Sequence, residues 1–149
     1  MPDLAVRSMQ TGDIDEVLLI EQAAFATPWS RAAFEEEINN NDLAHYLVIT
    51  DGSHIVGYGG FWLIMDEAHV TNIALLPSYH GRGLGLLLLE NMILTAKVKG
   101  AVSMTLEVRP SNTAARKLYS RRGFTERGIR PNYYADIGED ALIMWLDNL

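Results

Sequence analysis

The seventeen residues from His80 to Ala96 read HGRGLGLLLLENMILTA, with glycines at 81, 83 and 85 directly ahead of a leucine-rich helical pattern. A helix of that composition must bury a face, and flexible residues at its start let main chain approach a ligand closely. Free N–H groups converge at a helix start and the macrodipole favours negative charge there, so a strand running through this turn into the helix makes an anion site. Spacing separates the candidate ligands. A dinucleotide fingerprint G-x-G-x-x-G anchored at Gly81 and Gly83 needs glycine at 86, where the chain has Leu86. A phosphate loop ending in G-K-[ST] fails too, because neither Gly83 nor Gly85 is followed by Lys and then Ser or Thr.

Periodicity lays out the remaining elements in the order βααβββαβαββ, a single α/β domain over residues 1–149. Leu4, Val6 and Met9 suggest a first strand, and Val17, Ile20 and Ala24 form a helical stripe with Thr11 or Asp13 as its cap. Pro28 bars a continuous helix, Ser30 can cap a second one, and Phe34 with Ile38 supplies its buried face. HYLVIT and HIVGYGGFWLIM flank Asp51-Gly52-Ser53, a hairpin signal, and HVTNIALL reads as the third strand of an antiparallel meander. The helix from about Gly83 to Lys99 leads to the strand SMTLEV, and such a crossover lets SMTLEV lie parallel to HVTNIALL. Asn112 can cap a further helix that Gly123 ends, before the closing strands FTERGI and ALIMWL.

A chain of 149 residues buries about two thirds of the surface its unfolded form exposes, enough for one core without staples. It has no cysteine, which excludes disulfides, thiolate metal sites and a cysteine nucleophile. The four histidines show no metal spacing, and no metal is expected. No segment reaches the ~20 apolar residues of a membrane helix, and MPDLAVRSMQ lacks a signal peptide's basic start and apolar core. The expectation is a cytoplasmic protein with no membrane partner. A net charge of −7 argues against direct nucleic-acid binding, yet the charge is divided along the chain. Residues 82–130 hold ten Lys or Arg against three acids, residues 1–81 two Arg against twelve acids, and residues 131–149 four acids and no base. That contrast suits an anionic ligand near one part and a cationic one near the other.

The turn HGRGLG, the preceding NIALLPSY and the following LEVRPSNTAARKLYSRRGF together resemble the GNAT N-acetyltransferase superfamily over nearly the whole chain. In that family a [QR]-x-x-G-x-[GA] turn holds the pyrophosphate of acetyl-coenzyme A (acetyl-CoA). Gly83 and Gly85 match it, and His80 stands where Gln or Arg is usual. The resemblance implies a mixed, mostly antiparallel, splayed sheet with helices on both faces. It also implies acetyl-CoA as cosubstrate, bound at Gly81, Arg82, Gly83, Leu84, Gly85 and Leu86 through its phosphates and at Ile73, Ala74 and Leu75 through its pantetheine arm. Asn112 would touch the coenzyme as well, although capping explains that residue equally. Within the superfamily, FATPWS, DEAHVTNIALLP, LEVRPSN, LYSRRGF and IRPNYY resemble the bacterial branch that acetylates the N-terminal alanine of the small-subunit ribosomal protein numbered eighteen. The implied partner is a cationic N-terminal peptide of a ribosomal protein.

Amide formation from an amine and a thioester needs a neutral nitrogen, an acceptor for the ammonium proton and a proton for the departing thiolate. Without cysteine, direct transfer is the economical route. Alternation in SMTLEV puts Met104, Leu106 and Val108 on one face and Thr105 and Glu107 on the other. The resemblance makes Glu107 the general base; a strand carboxylate paired with a nearby arginine is the plainer alternative. A carboxylate with a usual pKa near 4.3 is a weak base for an amine, so burial or a relaying water has to assist it. The resemblance makes Tyr119 the general acid, against a plain core tyrosine. An α-amino group, with a pKa near 7.7–8.0, is the easier nucleophile, since lysine costs about 3.4 kcal/mol more to deprotonate. Trp29, Tyr133 and Tyr134 are candidate walls of a peptide groove, with core packing the plainer role for Trp29. Asp66, Glu67 and Glu139 are candidates to attract a cationic peptide. Three other readings stay open: an acetyltransferase of a small amine such as a polyamine or aminoglycoside, a noncatalytic acyl-CoA sensor, and, more remotely, a nucleotide-binding module.

Overall fold

The computed structural model describes residues 3–134 and 139–149, except for the side chains of residues 132–134. Its elements follow the expected order: β1 (Leu4–Ser8), α1 (Ile14–Ala24), α2 (Arg31–Asn39), β2 (Ala44–Asp51), β3 (His54–Ile64), β4 (Glu67–Leu75), α3 (Leu84–Val98), β5 (Ser103–Val108), α4 (Thr113–Arg122), β6 (Thr125–Tyr134) and β7 (Glu139–Asp147). The strands make one seven-stranded sheet in the order β1-β2-β3-β4-β5-β7-β6, in which β4 and β5 alone run parallel to each other.

Two helices begin on the expected side-chain caps. Ser30 Oγ accepts from the Ala33 N–H (3.1 Å) and Asn112 Oδ1 from the Ala115 N–H (3.2 Å), each satisfying a donor that the helix leaves open. The start of α1 differs. A 3-10 turn, Thr11–Asp13, precedes it, and Asp13 caps nothing in α1. Its carboxylate instead accepts two bonds from Arg7 and one from the Gln10 N–H, while the Thr11 hydroxyl donates to Asn39. A fixed charged partner outcompetes a capping geometry here, because bonds between ionised groups are roughly twice as strong as neutral ones.

The leucine run is the main core helix. Leu88, Leu89, Met92, Ile93 and Ala96 of α3 are buried against Ile49, Phe61, Leu106 and Met144 of the sheet. On the other face, Val17 and Ile20 of α1 and Phe34 of α2 pack with Val48 and Tyr58. Alternation along β2, with Leu47 and Ile49 in one core and Tyr46 and Val48 in the other, shows how one strand feeds both layers. Each large side chain so buried contributes about 1.5–3 kcal/mol.

The sheet opens at its centre. β4 and β5 pair at three positions only, Glu67 with Ser103, Ala68 with Met104 and His69 with Thr105. Just beyond, β4 carries a bulge: Phe61 faces Val70 and Gly60 faces Asn72, which leaves Thr71 as the extra residue. A bulge bends its strand and raises the local twist, and from there on β4 has no ladder with β5. Gly60 permits this arrangement, because a Cβ there would lie 2.1 Å from the Tyr46 ring, whose hydroxyl lies 2.9 Å from Thr71 Oγ1.

Candidate active site

The splay between β4 and β5 is a cleft of about 530 Å³. Its walls are β4 from Val70 to Ile73, β5 from Leu106 to Arg109, the end of α1 with the segment from Phe25 to Trp29, and Asn112 and Tyr119 of the α4 region. Glu107 and Tyr119, drawn from different elements, therefore meet in one cavity. Met104, Leu106 and Val108 are buried in the α3-side core, as alternation along β5 requires, while Glu107 turns to the cleft with 22% of its side chain exposed. Arg130 Nη2 lies 2.6 Å from Glu107 Oε1. Tyr119 is buried, with its ring 5.9 Å from that of Phe124. Glu107 is thus a cleft carboxylate paired with an arginine, and Tyr119 is a core ring that also lines the cleft.

The glycine turn leaves the start of α3 open. Gly81 and Gly83 both sit at φ +76°, in the left-handed region, and neither has an atom within 4 Å of where a Cβ would stand. No side chain caps α3, and the first bond into the helix runs from the Leu87 N–H to the Gly83 carbonyl (3.2 Å). The N–H groups of Leu84, Gly85 and Leu86 thus belong to the open end of the helix. Leu84 is buried and anchors that end, whereas Leu86 is exposed. A Cβ on Gly85 would come within 3.2 Å of Leu118 Cδ2, so glycine lets α3 and α4 approach. The Arg82 guanidinium lies 4.9 Å from the centre of the Tyr79 ring, and the Tyr79 hydroxyl donates to Asp51 Oδ2 (2.8 Å). His80, exposed, has its Nε2 3.1 Å from the Leu75 carbonyl oxygen and ties the turn to the end of β4.

Ile73, Ala74 and Leu75 lie past the bulge, paired with β3 on one side and clear of the β5 ladder on the other. Main-chain groups on that side can take an extended ligand as a neighbouring strand would. Asn112 both caps α4 and lines the cleft. Trp29 does two jobs as well, packing on Phe34 at 5.3 Å between ring centres and lining the cleft. Asp66 and Glu67 are not brought to the cleft. They stand at the turn into β4, at the paired end of the ladder, where Glu67 lies 3.1 Å from His69. Glu139 accepts from the Ser111 N–H (3.1 Å) and hydroxyl (2.6 Å). The side chains of Tyr133 and Tyr134 lie outside the described residues.

Two residues of the cleft escape the sequence reading. Glu21 lines it yet is only 1% exposed; its Oε2 accepts from the Trp29 N–H (2.7 Å), and its Oε1 from the Tyr58 hydroxyl and from Asn72 Nδ2 (3.3 Å). Burial, reinforced by the Glu21 carboxylate, holds the Tyr58 phenol well above its ordinary pKa. Asn72 Oδ1 is buried with no hydrogen-bond partner among the described residues. The signal for Glu21 was present in the chain: it occupies the i+4 position from Val17 on the buried stripe of α1, where an apolar residue belongs. Among the described residues no group of three or more His, Cys, Asp or Glu forms a metal site, and no helix is long and apolar enough to cross a membrane.

The acetyltransferase (GNAT) family model matches residues 14–124. The [ribosomal protein bS18]-alanine N-acetyltransferase of Escherichia coli (strain K12) is 38% identical over 143 residues, 95% of this chain and 95% of its own. A Bacillus subtilis (strain 168) protein, provisionally assigned the same activity, is 48% identical over 142 residues, 95% of this chain and 94% of its own. The crystal structure of the ribosomal-protein-S18-alanine N-acetyltransferase from Escherichia coli superposes with a TM-score of 0.89 at 37% identity, covering 97% of this chain and 94% of that one. With a family match across most of its length and relatives of this identity along nearly all of it, the chain belongs to the acetyltransferase (GNAT) family.

Proposed function

We propose that this enzyme transfers the acetyl group of acetyl-CoA to the α-amino group of the N-terminal alanine of ribosomal protein bS18. One observation carries the reading of the site: Glu107, Tyr119 and the stretch of β4 that has left the β5 ladder border one splay in the sheet, and the open start of α3 is tied to the end of that strand through His80. Relatives that carry this activity support the acceptor.

The turn fits a diphosphate, since its open helix end offers donors and no acidic side chain stands among residues 79–86. Main-chain N–H groups from Gly81 to Leu86 hold the phosphates, with Arg82 beside them, and Ile73, Ala74 and Leu75 align the pantetheine arm. Acetyl-CoA supplies the activated acetyl group as a thioester. Glu107 accepts the ammonium proton, directly or through a water, and leaves the nitrogen lone pair free to attack. Nitrogen bonds to the acetyl carbon as the C–S bond breaks; Tyr119 gives its phenolic proton to the departing sulfur and regains one from the nitrogen, whose second proton must leave to form the neutral amide. The α-amino group fits this arrangement better than lysine, because it needs about 3.4 kcal/mol less to become neutral. A cationic peptide is met by a cleft holding the carboxylates of Glu21 and Glu107. The reaction needs no metal and takes place in the cytoplasm, where ribosomal proteins are made.

Mass spectrometry tests the proposal. An alanine-initiated peptide with the N-terminal sequence of bS18, incubated with enzyme and acetyl-CoA, gains one acetyl on its α-nitrogen. Acetylation confined to a lysine side chain, or turnover of small amines with none of the peptide, overturns it.

A further inference from the structure

Arg130 stands beyond the cleft walls, on β6, two strands away from Glu107. In the sheet, β7 lies between them: Glu107 faces Ile143 and Arg130 faces Ala141, the short residue over which the arginine reaches. Arg130 is also the last regularly paired residue of β6 before the ladder with β7 breaks, since the next pair is Tyr134 with Glu139. One ion pair of 2.6 Å thus joins the end of the β6–β7 hairpin to the carboxylate at the cleft. Arg130 is 54% exposed and Glu107 22%, so solvent screens the contact from the arginine side and discounts its contribution to folding. Its consequence is geometric. A glutamate on a strand has several rotamers, and a proton acceptor works only when it is held within hydrogen-bond reach of its donor. The planar guanidinium engages Oε1 and so restricts the rotamers open to the carboxylate.

We infer that Arg130 is the positioning residue of the reaction: its ion pair holds the Glu107 carboxylate in the orientation that accepts the ammonium proton, and makes that orientation depend on the β6–β7 hairpin. The inference rests on the reading of Glu107 as proton acceptor. A misplacement of about 1 Å at a reacting group costs on the order of a hundredfold in rate.

The test is a kinetic cycle with acetyl-CoA and the alanine-initiated peptide, using wild type, Arg130→Gln, Glu107→Gln and the double variant. Arg130→Gln lowers kcat roughly ten- to a hundredfold. It leaves KM for acetyl-CoA unchanged, and in the Glu107→Gln background it has less than about a twofold further effect. Arg130→Lys, which keeps the charge and loses the fork, falls between wild type and Arg130→Gln and serves as the second variant should Arg130→Gln fold poorly. Full kcat in Arg130→Gln, or an equal loss with and without Glu107, overturns the inference while leaving the reading of Glu107 intact. Full turnover of Glu107→Gln alone overturns that reading and the inference with it.

Discussion

The main-chain N–H of Trp29 donates to Glu21 Oε2 at 2.7 Å, so a carboxylate buried near the end of α1 holds the segment that forms one wall of the cleft. The same carboxylate accepts from Tyr58 on β3 and Asn72 on β4, which makes it the joint between the α1–α2 segment and the splayed strand. Glu21→Ala strands three donors and is expected to cost about 2–3 kcal/mol of stability. Peptide KM should rise several-fold with KM for acetyl-CoA unchanged, read from denaturant midpoints and steady-state kinetics. Tyr58→Phe, which removes one of the three, should cost about 1 kcal/mol.

Gly83 takes φ +76° with open space where a side chain would begin. Gly83→Ala therefore meets no clash, and its cost is that of the left-handed backbone, about 1–2 kcal/mol. The expected outcome is weaker acetyl-CoA binding by calorimetry, about tenfold, with peptide KM little changed. An unchanged coenzyme affinity would remove the turn from the site.

Removing the hydroxyl of Tyr119 leaves its ring in place beside Phe124. Tyr119→Phe should keep its thermal midpoint within a few degrees, the shift expected for about 1 kcal/mol. kcat should fall roughly 10²-fold or more, as for loss of a general acid. Single-turnover measurement of the acetyl-transfer step checks this, since a slow product release would otherwise hide it.

The Arg7–Asp13 pair predicts an acid limb. Hydrogen bonds from Arg7 hold the Asp13 carboxyl below its usual pKa despite burial, helped by the Gln10 N–H. A depressed carboxyl stabilises the fold above its unfolded value, near 3.9, and loses that contribution as pH falls through the lower folded value. Asp13→Asn should be less stable than wild type by about 2 kcal/mol at pH 7. The gap should narrow as pH falls below the unfolded value and close once the folded carboxyl is protonated, measured by urea unfolding across pH.

Much of this protein is legible within a few residues at a time. Ser30 and Asn112 begin their helices because a short polar oxygen there meets a free N–H. Gly81 and Gly83 mark a turn that other residues would strain. Strict alternation in SMTLEV separates Glu107 from its apolar neighbours. These rules act over one turn or one strand, so the chain states them locally, and the element order with its resemblance to a family follows. Arg130 meeting Glu107 across β7, Glu21 meeting Trp29, Tyr58 and Asn72, and the bulge at Thr71 that parts β4 from β5 are set elsewhere. So is the placement of Asp66 and Glu67 at the closed end of the ladder, away from the cleft. Each depends on which strands become neighbours, and that is decided by how two cores pack on opposite faces of one twisted sheet, a condition no local stretch of chain contains.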